Sequence, residues 1–265
     1  MRKHEKLFDG SLGKYTGEKI HIDLLPDAKL HCSHPYPVTR DKAKLLKDEL
    51  DQIERMGVIE PTGDSEWGAG SFGTPKKDKT IRIVADLRAL NKCIRAKKYP
   101  FPIVTDLLRK RAGYKFFSKL DISMQYWTFE LDEESKDLCT IVTPFGTYWH
   151  CRAPMGLKNT PPFAQAQMVK VLAGIQDQDC YIDDIGAFTN DQNEDLARPK
   201  HIKLLDEILT RLEEHNFTIN PLKCEWGVKE TDFLGYWLTP TGIKPWSKKV
   251  EAIVKMKAPS TITDL

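Results

Sequence analysis

The stretch CYIDDIGAF, residues 180–188, sets two acidic side chains, Asp183 and Asp184, inside an otherwise apolar run. Short apolar segments on either side predict a hairpin whose tip carries the acidic pair. Ionised carboxylates in a low-dielectric setting are costly unless a cation, a helix N-terminus or a metal ion offsets them. A second acidic residue of this kind is Asp121 in KFFSKLDISMQYW (115–127), where Phe116, Phe117 and Leu120 point to a buried sheet position. Alone, a strand-end Asp reads as a turn or cap residue. Laid side by side, the two strands gather two or three carboxylates at one end of a sheet. Mg²⁺ suits such a site, being held by one or two carboxylates with water and substrate phosphates. Two such ions, about 4 Å apart, clamp the attacking and leaving oxygens of an in-line phosphoryl displacement.

The rest of the chain supplies an α+β frame. TRDKAKLLKDELDQIERMGVIEP (39–61) carries Ala43, Leu46, Leu50 and Ile53 at helical spacing, stopped by Gly57 and Pro61. TIRIVADLRAL (80–90) alternates, so Ile81, Ile83, Ala85 and Leu87 are predicted on one face of a strand, with Arg82, Asp86 and Arg88 on the other. CTIVTPFGTYWHC (139–151) reads as a hairpin around Pro144, Phe145 and Gly146. TPPFAQAQMVKVLAG (160–174) opens with prolines suited to a helix N-terminus and ends at a glycine. ARPKHIKLLDEILTRLEEHN (197–216) is an amphipathic helix, and TDFLGYWLTPTGIKP (231–245) a third hairpin. Strands and helices mix without regular βαβ alternation, which favours an antiparallel sheet. Residues 1–35 lack sustained periodicity and read as an extension.

Composition narrows the function classes. The 265 residues are 40% hydrophobic and 29% charged, ordinary globular chemistry with room for a core. No run of about 18 apolar residues and no signal-like start occur, so a soluble, non-secreted protein without a membrane partner is expected. Six scattered cysteines without a C-x-x-C pair read as isolated thiols. His31, Cys32 and His34 cluster, yet no second ligand pair follows at a finger-like interval. Net charge is only +2, but residues 76–119 hold fourteen Lys or Arg against three Asp, a block that suggests a polyanionic partner.

Read together, these segments resemble reverse transcriptases, most closely those of gypsy-like (Metaviridae-type) long-terminal-repeat retrotransposons. YIDD (181–184) is similar to their Y-x-D-D box and FFSKLDISMQY (116–126) to their first aspartate motif. KKDKTIRIVADLRALNK (76–92) resembles their finger segment, and RAPMGLKNTPPFAQ (152–165) their P-x-G-L-x-N-x-P loop and helix. INPLKCEW (219–226) and FLGYWLT (233–239) resemble the two segments after the catalytic hairpin. Each motif is modest; six in order, from about residue 20 to the end, are specific.

The resemblance implies a right-hand polymerase. It divides the chain into an extension or linker (1–35), fingers (36–95 and 129–159), palm (96–128 and 160–242) and the start of a thumb (243–265). It implies an RNA-directed DNA polymerase that adds deoxynucleotides to a primer 3′-hydroxyl with two Mg²⁺ ions, Mn²⁺ substituting. Asp121 and Asp183 would bind the ions, supported by Asp184 and the backbone carbonyl of Ile122. Arg82 and a lysine of the pair Lys76 and Lys77 would hold the incoming triphosphate. Tyr126 would be the aromatic gate against a 2′-hydroxyl, and Met155 and Gly156 would line the nucleotide pocket. Asn159 and Pro161 would shape the following turn. Lys223 would protonate the leaving pyrophosphate, and Leu234, Gly235 and Tyr236 would grip the primer end. Implied partners are an RNA or DNA template, a DNA or tRNA primer, dNTPs, and the ribonuclease H, protease and integrase segments of a longer polyprotein. A cytoplasmic virus-like particle is the implied location. Two departures stand out: Gln125 replaces a usual Gly, and Phe163 lies one place early, leaving Ala164 before Gln165. A truncated retroelement remnant that binds nucleic acid without catalysis remains open as an alternative, as does an RNA-copying polymerase on the same palm plan.

Overall fold

Helical spacing at residues 43–53 produces α1 (Arg40–Arg55), which buries Leu46, Leu50 and Ile53, with Gly57 at φ 67° just beyond its end. The computed structural model describes residues 2–63, 65–76, 80–191, 193–245, 250–251 and 254–255. After α1 come β1 (Ile59–Pro61), β2 (Ala69–Pro75), β3 (Ile81–Ala85) and the short helices α2 (Arg88–Cys93) and α3 (Val104–Lys110). Next are β4 (Phe116–Asp121), α4 (Gln125–Thr128), α5 (Glu133–Leu138), the hairpin β5 (Thr140–Thr143) and β6 (Gly146–His150), and α6 (Thr160–Val171). The acidic hairpin is β7 (Gln178–Tyr181) and β8 (Asp184–Thr189), followed by α7 (Glu194–Glu214). β9 (Glu225–Val228), β10 (Thr231–Phe233), β11 (Tyr236–Thr239) and β12 (Gly242–Pro245) close the series.

The chain divides into two units. The first takes residues up to Phe101, Ile122–Ala173 and Leu209–Ile219. The second takes Pro102–Asp121, Gly174–Ile208 and the described residues from Asn220 on.

In the first unit, five strands form one sheet in the order β1-β6-β5-β2-β3, antiparallel except for the parallel pair β2 and β5. Leu46, Leu50 and Ile53 of α1 pack with Val58, Ile59, Ile141 and Tyr148 in its core. The alternation seen in 80–90 runs past the strand: β3 stops at Ala85, and the Asp86 carboxylate accepts the backbone N–H of Arg88 as α2 begins. A two-residue period cannot register that change, because the Asp side chain turns the backbone by a local hydrogen bond. Residues 1–35 are packed rather than trailing. Leu7, Ile20 and Ile22 are buried, Ile20 exchanges backbone hydrogen bonds with Glu130 and Asp132, and the Ile219 N–H donates to the Leu7 carbonyl. Irregular chain satisfied in this way leaves no period to read.

In the second unit, β7-β8-β4-β9 form an antiparallel sheet and β10-β11-β12 a smaller one. Leu108, Phe117, Phe188, Phe233 and Leu238 make their shared core. Residues 122–128 and 160–173, expected in the palm, belong to the first unit. The expected thumb, 243–265, lies largely outside the described residues, as does Lys77. Among the described residues no helix is long and apolar enough to cross a membrane.

Candidate active site

β4 and β8 run antiparallel with Phe117 opposite Phe188, Lys119 opposite Gly186 and Asp121 opposite Asp184. Alternate residues of a strand share a face. One face of the sheet therefore passes from a ring pair, through a lysine facing a glycine, to two facing carboxylates. The rings are buried and meet edge to face, with centroids 6.2 Å apart. Like charges directly opposite destabilise a ladder, so the Asp121–Asp184 pair is a cost in the fold.

Tyr181 pairs with Asp184, leaving Ile182 and Asp183 as the two-residue turn. Ile182 takes φ 55° and Asp183 is not among the positive-φ residues. A positive φ at the first turn position alone is the II′ pattern, in which glycine is usual. A β-branched residue there is strained by about 1–2 kcal/mol. Met124 (φ 47°) and Leu234 (φ 50°) are further bulky residues in this region, while the other non-glycine cases, Asp177 and Asn216, are types that tolerate it. Each of the three bulky outliers falls in a motif segment: SMQY, YIDD or FLGY. Strain of this sort clusters at functional sites.

Electrostatics mark the same place. Burial pushes the Asp184 carboxyl up to about 6, and the neighbouring Asp183 charge adds to the effect. Burial also raises Asp121, with Asp183 contributing and Lys223 opposing. The Lys223 ammonium lies 3.1 and 3.2 Å from the two Asp121 oxygens. It is placed by the turn Pro221–Lys223, which the Asn220 side chain caps by accepting the Leu222 N–H. The Asn220 N–H donates to the Asp121 carbonyl, tying this turn to the end of β4. Cys224 accepts the Asp121 N–H at 3.4 Å, and burial pushes its thiol pKa up, so it stays protonated.

Among the described residues, no group of three or more His, Cys, Asp or Glu side chains is gathered closely enough to hold a metal ion. The carboxylates thus do not form a closed cage. Two facing carboxylates beside a third on the adjoining turn still make a hard oxygen donor set, which fits Mg²⁺ completed by water and substrate phosphates.

Other expected site residues lie in the first unit, each in its own setting. The Lys76 ammonium is bound to Glu49 of α1 at 3.1 and 3.3 Å. Arg82 is exposed on β3, opposite Thr74. Tyr126 is half-buried in α4, after the buried Gln125. Met155 is exposed, and Gly156 takes φ 89° while its carbonyl accepts the Asn91 amide. Asn159 bonds the backbone of Arg95 and Lys97 as α6 begins, and Pro161 sits in the first turn of that helix. Ile122 is buried and bridges to Ile219.

Several residues of the second unit escaped the sequence reading. Arg111 bonds Asp177 at 2.8 Å, Asp179 at 2.7 Å and the Gln178 carbonyl at 3.2 Å, clasping β7. Its guanidinium also lies 5.0 Å from the Phe188 ring centroid. Lys119 bonds Asp232. Counting charges over 76–119 gave Lys119 no position; its place two residues before Asp121 was the available signal.

Comparison with known proteins places these features in a family. Residues 74–238 match the model of Reverse transcriptase (RNA-dependent DNA polymerase). An uncharacterised protein of Caenorhabditis elegans is 31% identical over 96% of this chain and 20% of its own length. A retrovirus-related Pol polyprotein from transposon 297 of Drosophila melanogaster is 30% identical over 86% of this chain and 22% of its own. The Tf2-3 transposon polyprotein of Schizosaccharomyces pombe is 27% identical over 94% and 18%. The chain thus spans about a fifth of the length of these relatives. A foamy viral protease-reverse transcriptase bound to RNA/DNA hybrid superposes with a TM-score of 0.86 over 99% of this chain and 35% of that one, at 22% identity. A foamy viral protease-reverse transcriptase dRH with double-stranded DNA also gives 0.86, at 21% identity over 99% and 46%. The fold is that of right-hand polymerases.

Proposed function

The chain belongs to the reverse transcriptase (RNA-dependent DNA polymerase) family, and we propose that it is the polymerase core of a gypsy-like retrotransposon polyprotein. In this reading it transfers a deoxynucleotide from a dNTP to a primer 3′-hydroxyl on an RNA or DNA template. The observation that carries the reading is the in-register pair Asp121 and Asp184 beside the strained Asp183 turn. Nothing apolar is gained by facing two carboxylates, and the charge they concentrate is what a cation-assisted phosphoryl transfer requires.

Asp121, Asp183 and Asp184, with the Ile122 carbonyl, would hold two Mg²⁺ ions. Bound there, the metal would neutralise charge on the phosphoryl oxygens and lower the pKa of the attacking hydroxyl. Arg82 and Lys76 or Lys77 would carry the triphosphate, Lys76 exchanging Glu49 for phosphate. Tyr126 would exclude a 2′-hydroxyl, while Met155 and Gly156 would contact the nucleotide. The hydroxyl gives its proton to solvent, its oxygen attacks the α-phosphorus, the bond from that phosphorus to the bridging oxygen of the β-phosphate breaks and pyrophosphate leaves. Lys223, released from Asp121, would give its Nζ proton to that leaving group. Leu234, Gly235 and Tyr236 would hold the primer end. Fingers, palm and thumb are proposed within the boundaries read from the sequence.

The test is extension of a DNA primer on an RNA template with Mg²⁺, comparing wild type with Asp183→Asn. Extension by wild type alone, with deoxynucleotides alone, supports the reading. Primer–template bound in a salt-sensitive way with no extension by either protein would favour the non-catalytic alternative.

A further inference from the structure

We propose that Lys119 is a positioning residue, strapping the β10–β11 hairpin to the strand that carries Asp121 so that grip and carboxylates share one frame. This rests on the polymerase reading and deepens it by naming what sets the primer end against the carboxylates.

The Lys119 ammonium donates to Asp232 twice, to the carboxylate at 2.9 Å and to the backbone carbonyl at 3.1 Å. Asp232 lies two residues before Leu234, on β10, whose turn to β11 is Leu234 and Gly235, both at positive φ. The Lys119 side chain is only 18% exposed, so this is a partly desolvated contact and stronger than a surface pair. Asp121, two residues on, shares its face.

The register opposite Lys119 is built for the same docking. Gly186 stands there, and a Cβ on it would meet the Phe188 ring at 2.2 Å and the Phe233 ring at 3.0 Å. Phe233, next to Asp232, thus fills the space the missing side chain leaves, and its ring lies 5.6 Å from that of Phe188. One residue earlier, the Thr231 hydroxyl donates to Glu225 of β9 at 2.8 Å. Three consecutive residues of β10 are therefore fixed to the larger sheet by a hydroxyl, an ion pair and a ring.

The experiment compares Lys119→Gln, Lys119→Arg, Asp232→Asn and the Lys119→Gln/Asp232→Asn double variant. Steady-state extension is followed at varied primer–template and dNTP, with amide hydrogen exchange of residues 233–238. We expect Lys119→Gln and Asp232→Asn each to raise KM for primer–template about tenfold. The dNTP KM should move far less, the double variant should be no worse than either single, and Lys119→Arg should restore most of the loss. Exchange at 233–238 should quicken about tenfold in Lys119→Gln. Additive effects, an unchanged primer–template KM, or unchanged exchange in a folded Lys119→Gln would each overturn the strap. Should Lys119→Gln fail to fold, Asp232→Asn gives the same two readouts from a more exposed position. If wild type does not extend primers, the polymerase reading fails, while the exchange comparison still decides the strap.

Discussion

Two hairpins in this chain solve the same geometric problem at different cost. The β5–β6 hairpin turns through Pro144 and Phe145, and its tip is closed locally: the Thr143 hydroxyl donates to the Gly146 carbonyl and accepts the Phe145 N–H. Its positive φ falls on Gly146, where no side chain objects. The β7–β8 hairpin puts its positive φ on Ile182 and its charges on Asp183 and Asp184. What holds it lies at its base, where Arg111 bonds Asp177, Asp179 and Gln178. The first turn is satisfied by its own residues. The second keeps its tip strained and acidic because distant groups restrain it, as expected where chemistry outranks stability.

The comparison breaks most visibly at Arg111. Its side chain and that of Asp179 are 11% and 12% exposed, so Arg111→Met leaves a buried carboxylate unpaired. A loss of about 3–5 kcal/mol in denaturant unfolding is expected. Replacing Phe145, 39% exposed at the other tip, should cost under about 0.5 kcal/mol. A small effect at Arg111 would mean that β7 is held by its ladder alone.

Acid should weaken the two hairpins' surroundings through buried imidazoles. His150, at the end of β6, is pushed down to about 4 by burial. Above pH 6.5 it is neutral whether folded or unfolded and contributes no pH dependence. Between 6.5 and 4 the unfolded chain takes a proton that the folded one refuses, so stability falls by up to about 3 kcal/mol as pH drops. His150→Gln should flatten that slope in pH-dependent urea titrations. His201, bonded to Ser118 and Thr189, is lowered by burial too, so some slope should survive in this variant.

The acidic tip predicts the opposite sign. Asp184 sits near 6, above the ordinary 3.8, so its ionised form opposes folding above pH 6 and the penalty fades as pH falls toward 3.8. Asp184→Asn should stabilise the fold by on the order of 1–2 kcal/mol at pH 7.5 and by almost nothing at pH 4. Added Mg²⁺ should stabilise wild type more than the variant. A variant less stable at pH 7.5 would show that Asp184 is structurally paid for in some other way. Ile182→Gly should bring a gain of about 1 kcal/mol from relieved strain accompanied by slower extension. A gain in both would remove the link between turn strain and activity.

Much of this was legible in order along the chain. Apolar spacing gave α1, turn residues gave the β5–β6 hairpin, and the acidic pair read as a hairpin tip does sit at the β7–β8 turn; the stretch 231–245, read as one hairpin, folds as three strands, with a turn at Leu234 and Gly235 and a second between β11 and β12. Facing of Asp121 and Asp184 was readable only as a conjecture, since strand order depends on contacts between segments more than sixty residues apart. The Ile182 backbone was hidden, because nothing in an isoleucine announces a left-handed turn. The Arg111 clasp was hidden for another reason: Asp177 and Asp179 look like loop acids until β7 is paired. Residues 1–35 looked like an extension because their anchoring is by backbone hydrogen bonds, which any sequence can make.

The interleaving of β4 with late strands also sets conditions on synthesis. β4 ends at Asp121, but its neighbours begin only at Asp184 and Glu225. At about 5–20 residues per second on the ribosome, the strand bearing Phe116 and Phe117 waits seconds for its first partner and longer for its second. Over that interval two open strand edges and a pair of rings are exposed to whatever else is nascent in the cell, a hazard for edge-to-edge association. A chaperone that shields segment 116–121 should therefore raise the yield of soluble chain, and slowed translation between residues 121 and 225 should lower it, with no change to the folded protein.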